Sequence, residues 1–116
     1  MAECIFCKIA RKEIPNEFLY EDADVIAFAD INPLAPVHVL VIPRRHISSV
    51  NDFMAEDAVL IGKLILAARA IAREKRIADD GYKLLFRTGE HGGQEVPHVH
   101  LHLIGGAPLT ENIHSV

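Results

Sequence analysis

Apolar and polar residues alternate strictly over residues 98–103, where His98, His100 and His102 are separated by valine or leucine. Successive side chains of a strand point to opposite faces of its sheet. The pattern therefore predicts a strand with three imidazoles on one face and three apolar side chains packed against a helix on the other. A second apolar run predicts another strand at residues 82–87.

Shorter apolar runs predict the remaining elements. Strands are expected at residues 18–20, 25–28 and 37–42, each bounded by turn residues or proline. A short helix is predicted at 4–11, and a long one at about 54–75, where apolar residues recur every three or four positions. Together they indicate an α+β fold on a five-stranded, mainly antiparallel sheet with one long and one short helix, with residues 1–116 forming a single domain.

Charge and composition narrow the range of partners. Twelve basic against sixteen acidic residues give a formal net charge of −4, so the chain has no basic surplus to bind a nucleic acid backbone. Its apolar runs are much shorter than the roughly 18 residues that span a bilayer. Neither a nucleic acid nor a membrane is therefore an expected partner. Two closely spaced cysteines, and an N-terminus unlike a secretory signal, favour a cytoplasmic location.

The histidine row allows two kinds of chemistry. Three imidazoles can hold zinc with one open position, or one can act as a nucleophile while the others orient it and contact the substrate. The preceding segment, residues 87–95, contains three glycines. Glycines let backbone amides approach an anion closely, which favours phosphate chemistry over a metal-bound hydroxide.

The segment His98-Val99-His100-Leu101-His102-Leu103-Ile104 resembles the signature of the histidine triad superfamily. The resemblance extends over nearly the whole chain. Further matching segments are Ile5-Phe6, Glu13-Ile14-Pro15, Ala35-Pro36, Val41-Ile42-Pro43 and Gly92-Gly93-Gln94. Gly105-Gly106 after the triad is similar to the bacterial Hint branch, the histidine triad nucleotide-binding proteins, rather than to dinucleoside polyphosphate hydrolases of the Fhit type.

The resemblance implies a hydrolase of purine nucleoside phosphoramidates, acting on AMP–amine or aminoacyl-AMP bonds without a catalytic cofactor. His100 would be the nucleophile and form a covalent nucleotidyl-histidine. The carbonyl of His98 would hold its ring, His102 would contact the phosphate, and His38 would brace the triad. The alternatives are a dinucleoside polyphosphate hydrolase and a nucleotide-binding partner protein without catalysis.

The resemblance also assigns the contacts to a purine nucleotide such as AMP, GMP or an adenosine-like ligand. Asp30 would accept hydrogen bonds from the ribose hydroxyls. The apolar side chains expected around the base are Phe6, Phe28 and Ile31. The loop residues expected at the phosphate are Gly93, Gln94 and Val96.

Two positions depart from the family pattern. Arg87 replaces an asparagine that contacts phosphate, and a guanidinium is expected to bind phosphate more strongly. Glu95 replaces a serine near the leaving group and would either protonate a leaving amine or pair with Arg87. The short tail offers no match to the substrate contacts of longer relatives, and His114 is expected to be a mobile terminal residue.

A structural metal site and a dimer complete these expectations. Cys4 and Cys7 have the C-x₂-C spacing of zinc sites, and His46 follows the third predicted strand. In resembling bacterial proteins this set, with His98, binds zinc away from the catalytic chemistry. The resemblance also implies a homodimer joined through the long helix and the region of the fifth strand.

Overall fold

The structure is a computed structural model that describes residues 4–111. Its five strands form one antiparallel sheet. Its strand order is β1-β2-β3-β5-β4. The strands are β1 (Tyr20–Glu21), β2 (Val25–Ala29), β3 (Val37–Pro43), β4 (Tyr82–Phe86) and β5 (Leu101–Gly105), and the helices are α1 (Ile5–Ala10) and α2 (Ala58–Glu74). The α+β fold and the antiparallel sheet predicted from the sequence are confirmed. His114 lies outside the described residues.

The long helix α2 covers one side of the sheet, which we call the helix face. Alternate residues of the inner strands point to it and are buried against α2: Val25, Ala27, Val39, Val41, Leu101 and Leu103. From the helix, Leu64, Ala68 and Ile71 are buried in the same core. Each buried Leu or Ile side chain contributes about 1.5–3 kcal/mol, so this contact fixes the pleat of all the inner strands.

The intervening strand residues point to the other side of the sheet, which we call the site face. Ile26, Phe28, Leu40 and Ile42 pack there against Phe6, Ile9 and Ala10 of α1. The short helix covers only part of this face. His38 on β3 and His102 on β5 have the same alternation and therefore lie beside this second core.

The structure corrects the predicted bounds of several elements. β1 is Tyr20–Glu21 rather than residues 18–20. β5 begins at Leu101, so His98 and His100 precede it, because the Val99 amide donates to the Ile47 carbonyl at 2.6 Å instead of joining the sheet. The long helix begins at Ala58 rather than near residue 54. Two 3₁₀ turns, Val50–Asp52 and Ala55–Asp57, replace its first turn, and the Asp57 carboxylate accepts from the Met54 amide at 2.8 Å.

The buried stripe of α2 is narrower than predicted. The three-to-four spacing of apolar residues on the long helix includes Ile65 in the predicted stripe, but Ile65 is 43% exposed, whereas Ala67 is buried. The sheet covers only the side of the helix formed by Leu64, Ala67, Ala68, Ile71 and Ala72. Within residues 4–111, no helix combines the length and apolar character that a membrane crossing requires.

Candidate active site

A cavity of about 680 Å³ opens on the site face, beside α1 and the carboxyl end of β4. This volume suits a small-molecule ligand. The predicted site residues that line it are Phe6, Phe28, Asp30, Ile31, His38, Arg87, Gly93, Glu95, Val96, His100 and His102. Several lining residues were not predicted, among them Ile5, Ile9, Asn32, Leu34 and Leu40. Apolar periodicity alone would have assigned most of these to the core.

His100 is held by the backbone beside it. Its Nδ1 lies 2.8 Å from the carbonyl oxygen of His98, and that oxygen can only accept a hydrogen bond. The neutral ring therefore carries its proton on Nδ1 and keeps a lone pair on Nε2. The Phe6 ring packs edge-on against the imidazole, with centroids 5.2 Å apart. The geometry suits a nucleophilic nitrogen whose ring cannot easily rotate.

His38 and His102 form a buried pair across β3 and β5. The Nε2 atom of His38 is 2.9 Å from Nδ1 of His102. Burial lowers the pKa of His102 to about 4 and also lowers that of His38. Both rings are therefore neutral at pH 7. Among the described residues, Nε2 of His102 is a buried side-chain nitrogen without a hydrogen-bond partner, which marks it as a group for a ligand.

Arg87 and Asp30 bring charge to the same cavity. Arg87 follows β4 directly, and its positive charge adds to the lowering of the pKa values of His38 and His102. No ion pair joins Arg87 to Glu95 within residues 4–111. Asp30 lies across the cavity, with Oδ2 at 3.4 Å from Nε2 of His38. The guanidinium is thus available to an anionic ligand.

The glycine loop, residues 87–97, folds tightly beside these groups. A side chain at Gly92 would overlap the backbone of Thr88, and Gly93 has a φ of +77°, which favours glycine. Gln94 does not line the cavity. Its side chain accepts from the Gly89 amide at 3.1 Å and donates to the Ser48 and Val96 carbonyls, so it shapes the loop.

His98 faces away from the cavity into a thiol cluster, which we define as Cys4, Cys7, His46 and His98. Nδ1 of His98 is 3.3 Å from Sγ of Cys4 and 3.5 Å from Sγ of Cys7. Nδ1 of His46 is 3.4 Å from Sγ of Cys7. The four candidate ligand atoms all lie within 4.8 Å of one another.

The donor set of the thiol cluster fits a tetrahedral zinc ion. Nε2 of His98 lies 2.8 Å from the Pro43 carbonyl oxygen, to which it must donate. The lone pair of the neutral ring is then on Nδ1, the atom that faces both thiols. A carbonyl partner of this kind is what orients histidine ligands of metals.

The three triad rings do not converge on one point. The ring of His98 joins the thiol cluster, His100 bonds a backbone carbonyl and His102 bonds His38. Neither of the two groups of potential metal ligands in residues 4–111 contains all three histidines. This arrangement disfavours the alternative of a catalytic zinc held by the histidine row.

Known proteins share this fold and these sequence features. The family described as scavenger mRNA decapping enzyme C-term binding matches residues 3–113. Purine nucleoside phosphoramidase of Escherichia coli strain K12 is 51% identical over 107 residues, 92% of this chain and 90% of the relative.

Solved structures agree with this match. A HIT family hydrolase from Legionella pneumophila superposes with a TM-score of 0.92 at 43% identity, covering 94% of this chain and 97% of the other. A histidine triad protein from Clostridium difficile gives 0.92 at 39% identity, covering 97% of this chain and 100% of the other.

The fold is that of a known hydrolase, and the cavity of this chain is lined by histidines. The chain belongs to the histidine triad (HIT) family. The family and the hydrolase class predicted from the sequence are confirmed.

Proposed function

We propose that this chain, acting as a single domain, hydrolyses purine nucleoside phosphoramidates, including AMP–amine and aminoacyl-AMP bonds. The E. coli relative named for this activity is 51% identical over most of both chains. The observation that carries the mechanism is the contact of His100 Nδ1 with the His98 carbonyl at 2.8 Å. It leaves Nε2 of His100 as the nucleophile, inside a cavity of nucleotide size.

The reaction proceeds in two displacements at one phosphorus. Nε2 of His100 attacks the α-phosphorus, and the bond to the leaving group breaks. In a phosphoramidate this is the P–N bond, and the electron pair leaves with the amine, which gains a proton from solvent; in an aminoacyl-AMP it is the P–O bond, and the pair leaves with the carboxylate. Water then attacks the nucleotidyl-histidine and releases AMP and the free imidazole. The Nε2–H of His102 and the guanidinium of Arg87 stabilise the negative charge on the phosphoryl oxygens in both steps. None of these steps calls for a catalytic cofactor.

The nucleoside end is held by different groups. The Asp30 carboxylate accepts hydrogen bonds from the ribose hydroxyls, and Phe6, Phe28 and Ile31 contact the purine of AMP, GMP or a related ligand. Gly93 and Val96 present backbone to the phosphate, while Gln94 supports the loop that carries them. Glu95 also lines the cavity, and we place it near the leaving amine.

Steady-state kinetics on two substrate classes tests this function. We expect kcat/KM for an adenosine 5′-phosphoramidate to exceed that for diadenosine polyphosphates by on the order of 100-fold. The reverse preference would identify a dinucleoside polyphosphate hydrolase. AMP binding without turnover of either substrate would identify a nucleotide-binding partner protein.

We also propose that the thiol cluster holds one structural zinc ion. Two thiolates and two imidazoles complete a closed tetrahedral site that ties α1 to β3 and to the segment before β5. Elemental analysis of protein purified without chelator should give near one zinc per chain. The loss of zinc in Cys4→Ser/Cys7→Ser and in His46→Gln, but not in the exposed control His91→Gln, supports the site. Protein that takes up no added zinc under reducing conditions contradicts it.

We propose a homodimer formed through α2 and the region of the fifth strand. Its exposed apolar side chains Val59, Ile65 and Leu66 are 72%, 43% and 52% exposed. Burying them against a second copy removes apolar surface from water. Light scattering at micromolar concentration should give twice the chain mass. Leu66→Glu should lower it, whereas the exposed control Glu17→Lys, outside α2, should not. A monomeric wild-type chain contradicts the proposal.

A cytoplasmic location is proposed for the same chain. Two cysteines three positions apart are too few and too local for a disulfide framework, and reduced thiols persist in a reducing compartment. Fractionation of cells that express the tagged full chain tests it. Recovery in the cytoplasmic fraction is expected, and recovery in an envelope fraction would contradict it.

A further inference from the structure

A chain of polar contacts joins the ribose end of the cavity to the phosphate end. It runs from Asp30, which follows β2, through His38 on β3 to His102 on β5. Oδ2 of Asp30 is 3.4 Å from Nε2 of His38, and that nitrogen is 2.9 Å from Nδ1 of His102. Both histidines are buried, whereas Asp30 is partly exposed to the cavity.

The amide of Leu34 fixes where the protons of this chain reside. The Leu34 N–H lies 3.1 Å from Nδ1 of His38, and a backbone amide can only donate. The neutral His38 ring must therefore accept at Nδ1 and carry its proton on Nε2. When that proton is donated to Nδ1 of His102, the proton of neutral His102 is on Nε2. That atom is the buried nitrogen without a partner in the described part of the chain.

Two acceptors compete for the single proton on Nε2 of His38. One is Nδ1 of His102 and the other is the Asp30 carboxylate. Oδ1 of Asp30 already accepts from the Asn32 amide at 2.8 Å. Oδ2 is therefore the oxygen that can accept either from His38 or from a ribose hydroxyl. Hydroxyl donors from a ribose satisfy this oxygen and weaken its attraction for the His38 proton.

We propose that His38 is a positioning residue through which ribose binding at Asp30 sets the tautomer of His102. With ribose bound, His38 donates to His102, and His102 presents Nε2–H to the phosphoryl oxygens. With Asp30 unoccupied, the carboxylate competes for the His38 proton, and the donation to Nδ1 of His102 is weakened. The inference rests on the proposed function, since it assigns ribose to Asp30 and the phosphate to His102.

The consequence is that the ribose hydroxyls contribute to the rate of the chemical step as well as to binding. A group that only anchors the sugar would change affinity and leave the rate at saturation unaltered. A group that controls a phosphate donor changes the rate at saturation. This difference separates coupling from simple recognition.

Single-turnover kinetics at saturating substrate provides the test. Adenosine 5′-phosphoramidate and its 2′,3′-dideoxy analogue share base, phosphate and leaving group and differ only at the hydroxyls. For the wild-type chain we expect the saturating rate to fall by about tenfold with the dideoxy substrate, in addition to a loss of affinity. Equal saturating rates would overturn the proposal. Failure to turn over the ribose substrate at all would instead refute the proposed function.

Two substitutions at His38 distinguish coupling between Asp30 and His102 from a misplaced binding of the dideoxy substrate. The amide of His38→Asn reaches only the Nδ1 position, so it keeps the Leu34 contact and loses the donor to His102. The longer His38→Gln places an amide N–H near the Nε2 position. The saturating rate with the ribose substrate should exceed that with the dideoxy substrate by about twofold in His38→Asn and still by about tenfold in His38→Gln. A ratio that persists in Asn would overturn the proposal.

A spectroscopic measurement tests the same point without any substitution. Nitrogen-15 NMR of labelled histidine distinguishes the two neutral tautomers of His102. With AMP bound at pH 7 we expect the proton on Nε2, and with 2′,3′-dideoxy-AMP a shift toward a mixture of tautomers. Identical His102 spectra in the two complexes would contradict the coupling.

Discussion

The two ends of the histidine row, His98 and His102, are both buried, and burial lowers the pKa of each to about 4. Their polar contacts differ. Both ring nitrogens of His98 have protein neighbours, the thiols on one side and the Pro43 carbonyl on the other. His102 has a partner only at Nδ1, and its Nε2 has none within residues 4–111. Protein groups therefore contact both ring nitrogens of His98, whereas Nε2 of His102 remains available to a ligand.

This difference divides the triad into a supporting end and a reacting end. The carbonyl of His98 orients His100, and its ring joins the sheet to α1 through the thiol cluster. His102 lies on the cavity side, with Arg87 and Asp30 nearby. A row of like residues in the sequence therefore has unlike tasks, set by which nitrogen of each ring remains available.

Replacing the residue between these ends should have the largest effect. We expect His100→Ala to lower phosphoramidate turnover by about 10³-fold or more, because the covalent route is lost. AMP binding, measured by calorimetry, should change by less than about threefold, since the ribose and base contacts lie elsewhere. A folded variant with activity within tenfold of wild type would refute the nucleophile.

Substitutions at the two ends should separate support from chemistry. His102→Ala should reduce turnover by about 100-fold, as removal of one donor to a developing oxyanion does. Its zinc content should remain close to that of the wild type. His98→Ala should lose zinc and melt at a lower temperature. Zinc loss in the His102 variant, or full zinc in the His98 variant, would contradict the division of tasks.

Arg87 tests whether the reacting end binds an anion. Arg87→Gln should weaken AMP binding by about tenfold, and Arg87→Lys should restore part of that loss, because a charge contact to phosphate is removed and then partly replaced. Adenosine, which lacks phosphate, serves as the control ligand. An equal loss of affinity for adenosine would show that Arg87 supports the cavity rather than the phosphate.

The pH dependence of stability should show the smallest effect. His102 has a pKa of about 4 in the folded chain and about 6.5 when unfolded, so the unfolded chain binds protons first as pH falls. Its stabilising contribution is present above pH 6.5 and is lost between pH 6.5 and 4. Urea unfolding with chelator at pH 7.5 and 5.5 should show a decline smaller by about 1 kcal/mol in His102→Gln than in wild type. Equal declines would contradict the buried neutral state.

Local alternation was enough to predict most of the fold. The period of two along β2, β3 and β5 separates Val25, Val39 and Leu103 from Ile26 and His102, and these sets do occupy opposite faces. The same alternation continued past β4 places Arg87 on the site face. The helix spacing of α2 also predicted the correct element, although not its first turn.

Contacts between distant segments were not predictable in the same way. The Val99–Ile47 hydrogen bond delays the start of β5, and no local pattern near His98 indicates it. The Leu34 amide that fixes His38 is a backbone group, so its role is independent of the side chain. Gln94 matched a family position, but only the folded loop shows that its amide bonds Gly89, Ser48 and Val96.

The nucleophilic role of His100 can be tested most directly by trapping its product. Wild-type chain mixed with an adenosine phosphoramidate and quenched in the first turnover should gain the mass of one adenylyl group. Peptide mapping should place that group on the imidazole of His100, and His100→Ala should show no gain. An adenylyl group on His98 or His102, or turnover with no modified chain at any quench time, would contradict the account.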